Sequence, residues 1–439
     1  MIDLDETHDP ERRSWVESAN DAATDFPIQN LPLGIFSIQA QQPRLGMAIG
    51  DAVFDVTGAS TRGWLTGDAA RAAQAGGAAH LNALFALGNG PLRELRRQVS
   101  ALLDRKQAAR EVLDQADKGL LHDRARCSMH LPARIGNYTD FYAGIYHARA
   151  AGALLTPENP LPENYKWVPI GYHGRASSVL VSPGSVRRPH GQLPPTASGQ
   201  SPGFGPSQRL DFELEMGFFV GAGNLVGQPV SIEQAREHIV GYCLLNDWSA
   251  RDIQRWEMFP LGPFLSKNFG TMISPWVVTA DALRPFRVQA MRRDTGDPQP
   301  LGYLVDDADQ RHGGLDVELS VGLRSQQMRQ QGIAEVEILQ SNARHLYWTP
   351  AQMLAHHTSG GCNMESGDLL GTGTISGPQP DQLSSLLELT FGGTRPVSLP
   401  GGEQRAFLED GDEVVFRGKC RREGFVSIGF GEARGLINA

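Results

Sequence analysis

Cysteine is scarce in this chain, with four in 439 residues. Cys127, Cys243, Cys362 and Cys420 are scattered and make no C-x-x-C pair, which excludes a disulfide framework and a zinc knuckle. Long apolar runs are missing too: none approaches the roughly 20 residues that a membrane helix needs. Positive charge is in deficit. The formal net charge is −9, so there is no electrostatic case for a nucleic-acid partner. The start, Met1-Ile2-Asp3-Leu4-Asp5-Glu6, lacks the basic-then-apolar order of a signal peptide, and a cytoplasmic protein is expected. Neither a P-loop nor a repeat of fixed period is present. Lysine is the rare cation: Lys106, Lys118, Lys166, Lys267 and Lys419 stand against an arginine-rich background. Lys267 lies in Gly262-Pro263-Phe264-Leu265-Ser266-Lys267-Asn268-Phe269-Gly270, more apolar than a surface loop requires. That setting suggests a task for a compact ammonium that a guanidinium cannot perform, against the plainer reading of a snorkelling side chain.

What is present reads as a globular, β-rich α+β chain, 40% hydrophobic and 20% charged. Residues 1–24 are polar and acidic and are expected as a poorly ordered tail. From Asp25 to Gly58, short apolar runs alternate with turn signals, which predicts a small β-barrel or sandwich. Leu92, Leu95, Val99, Leu102 and Leu103 recur in steps of three and four within the Ala-, Leu- and Arg-rich stretch 65–120, predicting a helix. A domain boundary is placed at 131–134, giving an N-terminal domain over 25–132 and a catalytic domain over 133–439. In the latter, strands are predicted at 177–182, 210–220, 239–245, 276–278, 317–323, 386–391, 412–418 and 426–429. Helices are predicted at 231–238, 249–257 and 349–358, the last with Thr349 as N-cap and Pro350 in the first turn.

Three motifs mislead. Gly199-Gln200-Ser201-Pro202-Gly203 matches G-x-S-x-G, but it has no strand before it, no helix after it, and Pro202 has no N–H for an oxyanion hole. Gly371-Thr372-Gly373-Thr374-Ile375-Ser376-Gly377 is one residue too long for a dinucleotide fingerprint. His356 and His357 are adjacent and splay apart on a helix.

The informative stretch is Asp211-Phe212-Glu213-Leu214-Glu215, ahead of the apolar run Met216 to Val220. Strand side chains alternate faces, so Asp211, Glu213 and Glu215 fall in one row. Carboxylates so placed repel one another and are costly to desolvate, and a hard cation with oxygen ligands relieves both costs. The competing reading is a solvated edge strand. Asp247, at the end of the run Ile239 to Leu245, could be a further ligand or could cap the helix after it. Asp140 lies in the aromatic loop Asn137-Tyr138-Thr139-Asp140-Phe141-Tyr142, with His147 soon after.

These segments, together with Gly171-Tyr172-His173-Gly174-Arg175-Ala176-Ser177-Ser178, Asn246-Asp247-Trp248-Ser249-Ala250-Arg251-Asp252-Ile253-Gln254, Lys267 to Thr271 and Gly373 to Gly377, resemble the fumarylacetoacetate hydrolase family. The likeness runs in order from about Asp25 to the C-terminus. It implies hydrolysis of a carbon–carbon bond in a β-diketo acid, giving fumarate and acetoacetate in tyrosine and phenylalanine breakdown. It also implies a homodimer, an SH3-like N-terminal barrel and a mixed β-roll catalytic domain. The residues that match ligands of calcium or magnesium are Asp140, Glu213, Glu215 and Asp247, which removes Asp211 from the row. Lys267 and Thr271 match a second magnesium site near Asp247. His147 matches the general base, oriented by Glu388, which a period-two reading of 386–391 sets opposite Leu387 and Leu389. Arg251, Gln254 and Lys267 match polar groups at the reacting centre. Tyr142, Tyr172, Gln254 and Thr374 match substrate contacts.

Two positions depart from the family pattern. Thr156 stands where an arginine is expected, and Met258 where a tyrosine is expected. The arginine would be a natural carboxylate clamp, and Arg149 or Lys166 are the candidates to replace it. A shifted or broadened acyl selectivity is therefore expected. The alternatives are a related hydrolase or decarboxylase acting on another 3-oxo or acylpyruvate acid, and, in another class, a non-catalytic metal-stabilised scaffold.

Overall fold

The run Leu214–Val220 forms a strand buried along its whole length, as does Ile239–Asp247 beside it. Continuous burial means that both faces of this sheet are covered. A computed structural model describes residues 3–39, 41–77, 79–109, 112 and 119–439. In it the sheet runs in the order Gly171–Gly174, Tyr138–Phe141, Leu369–Gly371, Leu214–Val220, Ile239–Asp247, Thr271–Ile273, Val179–Val181. Leu369–Gly371 lies parallel to Tyr138–Phe141, and Thr271–Ile273 parallel to Val179–Val181; the other neighbours are antiparallel.

Period-two alternation divides the side chains of this sheet between two cores. Met216, Phe218, Val220, Tyr242 and Leu244 join the core of the C-terminal part. Phe219, Val240, Cys243 and Leu245 point the other way and pack with Leu84, Phe85, Leu92 and Leu95 of the N-terminal part. Behind the first core stands a second sheet of five strands, Val336–Asn342, Glu318–Arg324, Glu413–Cys420, Ile428–Asn438 and Gly184–Arg187. The fold is thus mixed α/β and strand-rich, with a curled central sheet.

The N-terminal part is an antiparallel sheet in the order Leu121–Asp123, Ala52–Asp55, Arg44–Ile49, Leu33–Ile38, Cys127–His130, covered by helices Gly67–Ala75 and Asn89–Leu103. The predicted helical stripe is real: Leu92, Leu95, Val99 and Leu103 are buried on Asn89–Leu103. The remainder of that Ala/Leu/Arg-rich stretch falls partly outside the described residues.

Residues 3–24, expected as a loose tail, are packed. Arg96, wholly buried, donates to the Thr7 and Gln29 carbonyl oxygens and pairs with Asp281 Oδ2 at 2.9 Å. His8 Nε2 lies 3.0 Å from the Asp281 carbonyl oxygen, and Arg12 pairs with Asp104 at 3.0 Å. Composition misled because the order comes from long-range polar contacts such as Arg96 to Thr7 and Arg12 to Asp104, to which only Val16 and Ala19 add buried apolar surface in the N-terminal core.

Residues 386–391, expected as a strand, instead contain the short helix Leu386–Leu389. The Ser385 side chain caps it by accepting from Glu388 N–H, and Asp211 accepts the N–H groups of Leu386 and Leu387 at 2.7 and 2.9 Å. After its C-cap Thr390 the chain turns through Phe391, at a φ of +49°, and the N–H groups of Phe391 and Gly392 return to the Glu388 and Leu387 carbonyl oxygens at 3.1 and 2.8 Å. A short apolar run does not distinguish strand from helix by periodicity, and here the caps decide. Helix Pro350–Thr358 does carry its predicted cap, with a full capping box between Thr349 and Gln352.

Candidate metal centre and active site

Three strands of the central sheet collect acids that are far apart in the chain. Asp140 sits on Tyr138–Phe141, Glu215 on Leu214–Val220, and Asp247 ends Ile239–Asp247, while Glu213 immediately precedes Leu214. Glu215 pairs in register with Leu245, two residues from Asp247, and Asp140 pairs with Gly371. All lie on the sheet face that looks toward the N-terminal core, because each shares parity with a residue of that core: Tyr138, Phe219 and Leu245. One oxygen from each of Asp140, Glu213, Glu215 and Asp247 lies within 4.8 Å of the others, and all four residues are buried.

Gly371 and Gly373 make room for this cluster. A Cβ on Gly371 would meet Asp140 Oδ1 at 2.4 Å and Glu215 Oε2 at 3.1 Å. Gly373 N–H donates to the same two oxygens, at 3.2 and 3.0 Å, from a φ of +76° that suits glycine. The glycine-rich run that resembles a nucleotide loop is therefore part of the carboxylate cradle.

The electrostatics divide the cluster in two. Burial, and then the charge of Asp247, push the Asp140 carboxyl well above the usual range. Burial together with Asp140 and Asp247 does the same to Glu215, whose Oε1 is buried without a hydrogen-bond partner. Glu213 goes the other way: burial opposes its ionisation, but Lys267 and Arg251 outweigh burial and hold it far down. Lys267 Nζ lies 2.5 Å from Glu213 Oε2 and 2.7 Å from Asp247 Oδ2. Arg251 bridges Asp211 at 2.9 Å and Glu213 at 2.5 Å. With Asp211 there are five buried acids against two basic side chains, so positive charge is still owed. A donor set made of carboxylate oxygens, one of them orphaned, fits a hard divalent cation.

Beside the acids stands a second group. His147, buried on helix Ile145–Leu155, has Nδ1 2.8 Å from Glu388 Oε2. Glu388 also accepts from Ser376 Oγ at 2.9 Å and Ser385 Oγ at 2.8 Å, two partners that sequence reasoning missed. Burial works against its ionisation, but His147 and these donors prevail and keep the carboxylate below its ordinary range. Nδ1 is taken up by Glu388, leaving Nε2 as the working nitrogen.

The other expected residues fall around the same centre. Tyr142 stacks edge-on to His147 with centroids 5.8 Å apart. Tyr172 donates its hydroxyl to Asp247 Oδ2 at 2.7 Å, and Thr271 Oγ1 lies 3.0 Å from Asp247 Oδ1. Gln254 Oε1 accepts from Arg251 Nη1 at 3.1 Å. Thr374 is buried, and its carbonyl lies where a Cβ on Gly144, the residue before the His147 helix, would strike it at 2.2 Å. Lys267 Nζ is committed to two carboxylates, so only its main-chain oxygen is left to coordinate a cation. Asp211 anchors Arg251 and the Glu388 helix and lies outside the four-acid cluster.

The two candidate replacements for the missing arginine are both engaged elsewhere: Arg149 with Asp294 at 3.4 Å and Lys166 with Asp297. Thr156 follows the His147 helix, with its hydroxyl 3.3 Å from the Gly152 carbonyl oxygen.

Residues 137–436 match the family model described as fumarylacetoacetate (FAA) hydrolase C-terminal, and residues 29–132 match fumarylacetoacetase N-terminal. The chain is 45% identical over 427 residues to the fumarylacetoacetases of Rattus norvegicus and Homo sapiens, covering 97% of this chain and 98% of each relative. It is 44% identical to that of Arabidopsis thaliana over the same length. Among solved structures, a fumarylacetoacetate hydrolase from psychrophilic Exiguobacterium antarcticum shares the fold at a TM-score of 0.50 and 16% identity, over 93% of this chain and 99% of that one. The chain belongs to the fumarylacetoacetase family.

Proposed function

We propose that this protein hydrolyses the carbon–carbon bond of fumarylacetoacetate, adding water to yield fumarate and acetoacetate. The observation that carries the reading is the His147–Glu388 pair set beside a buried cluster of four carboxylates. The bond is difficult to break because the leaving group is carbon, and its electron pair must spread into an enolate. Asp140, Glu213, Glu215 and Asp247 would hold a divalent cation, which supplies Lewis acidity at the diketone oxygens and steadies enolate charge. His147 Nε2 removes the proton of the attacking water, an effect of roughly 10²–10⁴-fold. Glu388 fixes the tautomer and stabilises the imidazolium. The proton held at Nε2 is then available to the carbon that departs. Lys267 and Gln254 face the oxyanion, and Arg251 has a buried Nη2 without a partner, a donor in reserve for a substrate oxygen. Tyr142, Tyr172 and Thr374 line the substrate.

Calcium and magnesium both accept an all-carboxylate set, and a second cation site at Asp247, Lys267 and Thr271 completes the proposal. A homodimer with an SH3-like N-terminal barrel is part of the same reading. The exposed apolar side chains Phe259, Leu261 and Phe264 on the loop before Lys267 support association, and sedimentation tests it. Among the described residues no helix is long and apolar enough to cross a membrane.

With Arg149 and Lys166 occupied, the acyl end lacks the expected clamp, which favours breadth. A kcat/KM for fumarylacetoacetate close to that for other β-diketo acids supports this; sharp selectivity refutes it. The activity itself is tested by loss of diketone absorbance, with product analysis to separate two acids from carbon dioxide, for wild type and His147→Ala with and without chelator.

A further inference from the structure

Apart from the acidic cluster, a cavity of about 330 Å³ opens where the two parts of the chain meet. Its wall is built from Arg93, Arg236, Arg284, Arg287, Arg311 and His312, with Asp3, Glu237 and Asp281 among the remainder. Two of the arginines are accounted for: Arg93 and Arg284 reach Asp281 Oδ1 at 3.2 and 3.1 Å. Arg311 is only loosely tied, 3.9 Å from Asp307, with both side chains exposed.

Arg287 is different. It is 8% exposed, and among the described residues no carboxylate lies within ion-pair distance of it. Its contacts are the Tyr242 hydroxyl at 3.4 Å and the face of the Tyr242 ring. The buried acid on this side, Asp309, accepts at Oδ2 from the Thr349 hydroxyl instead, at 2.8 Å. A guanidinium that is buried and unpaired is costly, and here it lines a space large enough for a small ion. Arg236, half-buried, likewise has no carboxylate partner among the described residues. Burial first, and then the charges of Arg236, Arg311 and Arg287, lower the His312 pKa.

From these contacts we infer that the cavity is a binding site for a phosphate-type dianion. The donors come from separate elements: Arg236 from the 3₁₀ turn Arg236–His238, Arg287 from Arg287–Val288, and Arg311 and His312 from helix Asp307–His312. Donors converging from several directions suit a tetrahedral oxyanion, and guanidinium groups bind such oxygens in a fork. Asp3, Glu237 and Asp281 offset part of the charge of the five arginines, and the surplus of two positive charges is what a dianion balances. The anion would tie the catalytic part to Asn89 and Arg93 of the N-terminal part, so it is a structural effector rather than a substrate.

The test uses the full-length, metal-loaded protein and inorganic phosphate, with sodium chloride at matched ionic strength as the control. Calorimetry of wild type is expected to show saturable binding beyond the chloride control, with a rise in Tm. Arg236→Gln is expected to weaken that binding roughly tenfold or more, the value of a lost charge-assisted hydrogen bond, and to leave kcat/KM for fumarylacetoacetate unchanged. Arg236 is half-exposed and unpaired, so its replacement spares the fold; Arg311→Gln is the second variant. Binding no stronger than that of chloride overturns the assignment. So does equal phosphate affinity in wild type and both variants, which would place the ion elsewhere, including at the acidic cluster.

Discussion

His147 Nδ1 lies 2.8 Å from Glu388 Oε2, and the two residues are 241 positions apart in the chain. The pair is assembled by two short helices that meet beside the acidic cluster, and in the proposed reaction Nε2 is the nitrogen that meets the water. His147→Ala is expected to lower kcat by roughly 10²–10⁴-fold with little change in metal affinity. Glu388→Gln keeps an acceptor for Nδ1 but removes the charge that steadies the imidazolium, so a smaller loss in kcat is expected, with KM nearly constant. Steady-state rates from diketone absorbance check both. Full activity in the alanine variant would place the base elsewhere.

Gly371 tests the cradle. Its missing Cβ is what lets Asp140 and Glu215 approach the same point. Gly371→Ala puts a methyl group 2.4 Å from Asp140 Oδ1. The expected result is loss of metal binding by calorimetry and loss of activity that excess cation only partly restores. Tight metal binding in this variant would show that the four acids do not act together.

Metal removal should cost stability as well as rate, since five buried acids then face two cations. If the folded chain alone binds the ion, stability rises by about 2.7 kcal/mol at a hundredfold excess over Kd. Chelation is therefore expected to lower Tm and abolish activity, and calcium or magnesium to restore both in parallel. Recovery with one ion alone would also settle the preference.

Asp211 separates ligation from positioning. It holds Arg251 and the first N–H groups of the Glu388 helix, without joining the four acids. Asp211→Asn is expected to cost roughly 3–5 kcal/mol of stability, since a buried charge pair loses one member. It should lower kcat by loosening Glu388, while the metal isotherm barely moves. A large loss of metal affinity would place Asp211 among the ligands.

Much of the site was legible because ordered motifs carry it. Glu213, Glu215 and Asp247 flank apolar runs that read plainly as strands, and period two separates the two glutamates from Leu214 and Met216; Asp140, read as part of an aromatic loop, lies on the strand Tyr138–Phe141 instead. The supporting residues were less visible. Ser376 and Ser385 are ordinary serines until the chain brings them to Glu388. Gly371 and Gly373 looked like a failed nucleotide loop because their partner, Asp140, is supplied by a parallel strand from far upstream. The Leu386–Leu389 helix and the packed residues 3–24 escaped for the same reason: their order is fixed by long-range partners, Asp211 and Arg96, which local pattern does not reveal.

Asp309 gives the pH prediction, well away from the metal cluster. Burial pushes its carboxyl up to about 6 from 3.8, although a hydrogen bond from Thr349 pulls the other way. A raised acid means that the folded chain keeps a proton the unfolded chain has lost. Its favourable contribution is therefore complete below the unfolded value and disappears as pH climbs through about 6. Asp309→Asn removes the charge while leaving an oxygen to accept from Thr349. The variant should match wild type near the acid end of the window and exceed it at pH 8 by up to about 3 kcal/mol, from 1.36 kcal/mol per pK unit. Urea unfolding of both proteins at the two pH values, in phosphate-free buffer, measures the difference directly. A gap that does not change with pH would mean that Asp309 is already ionised throughout and that Arg287 and Arg236 neutralise it in the folded chain.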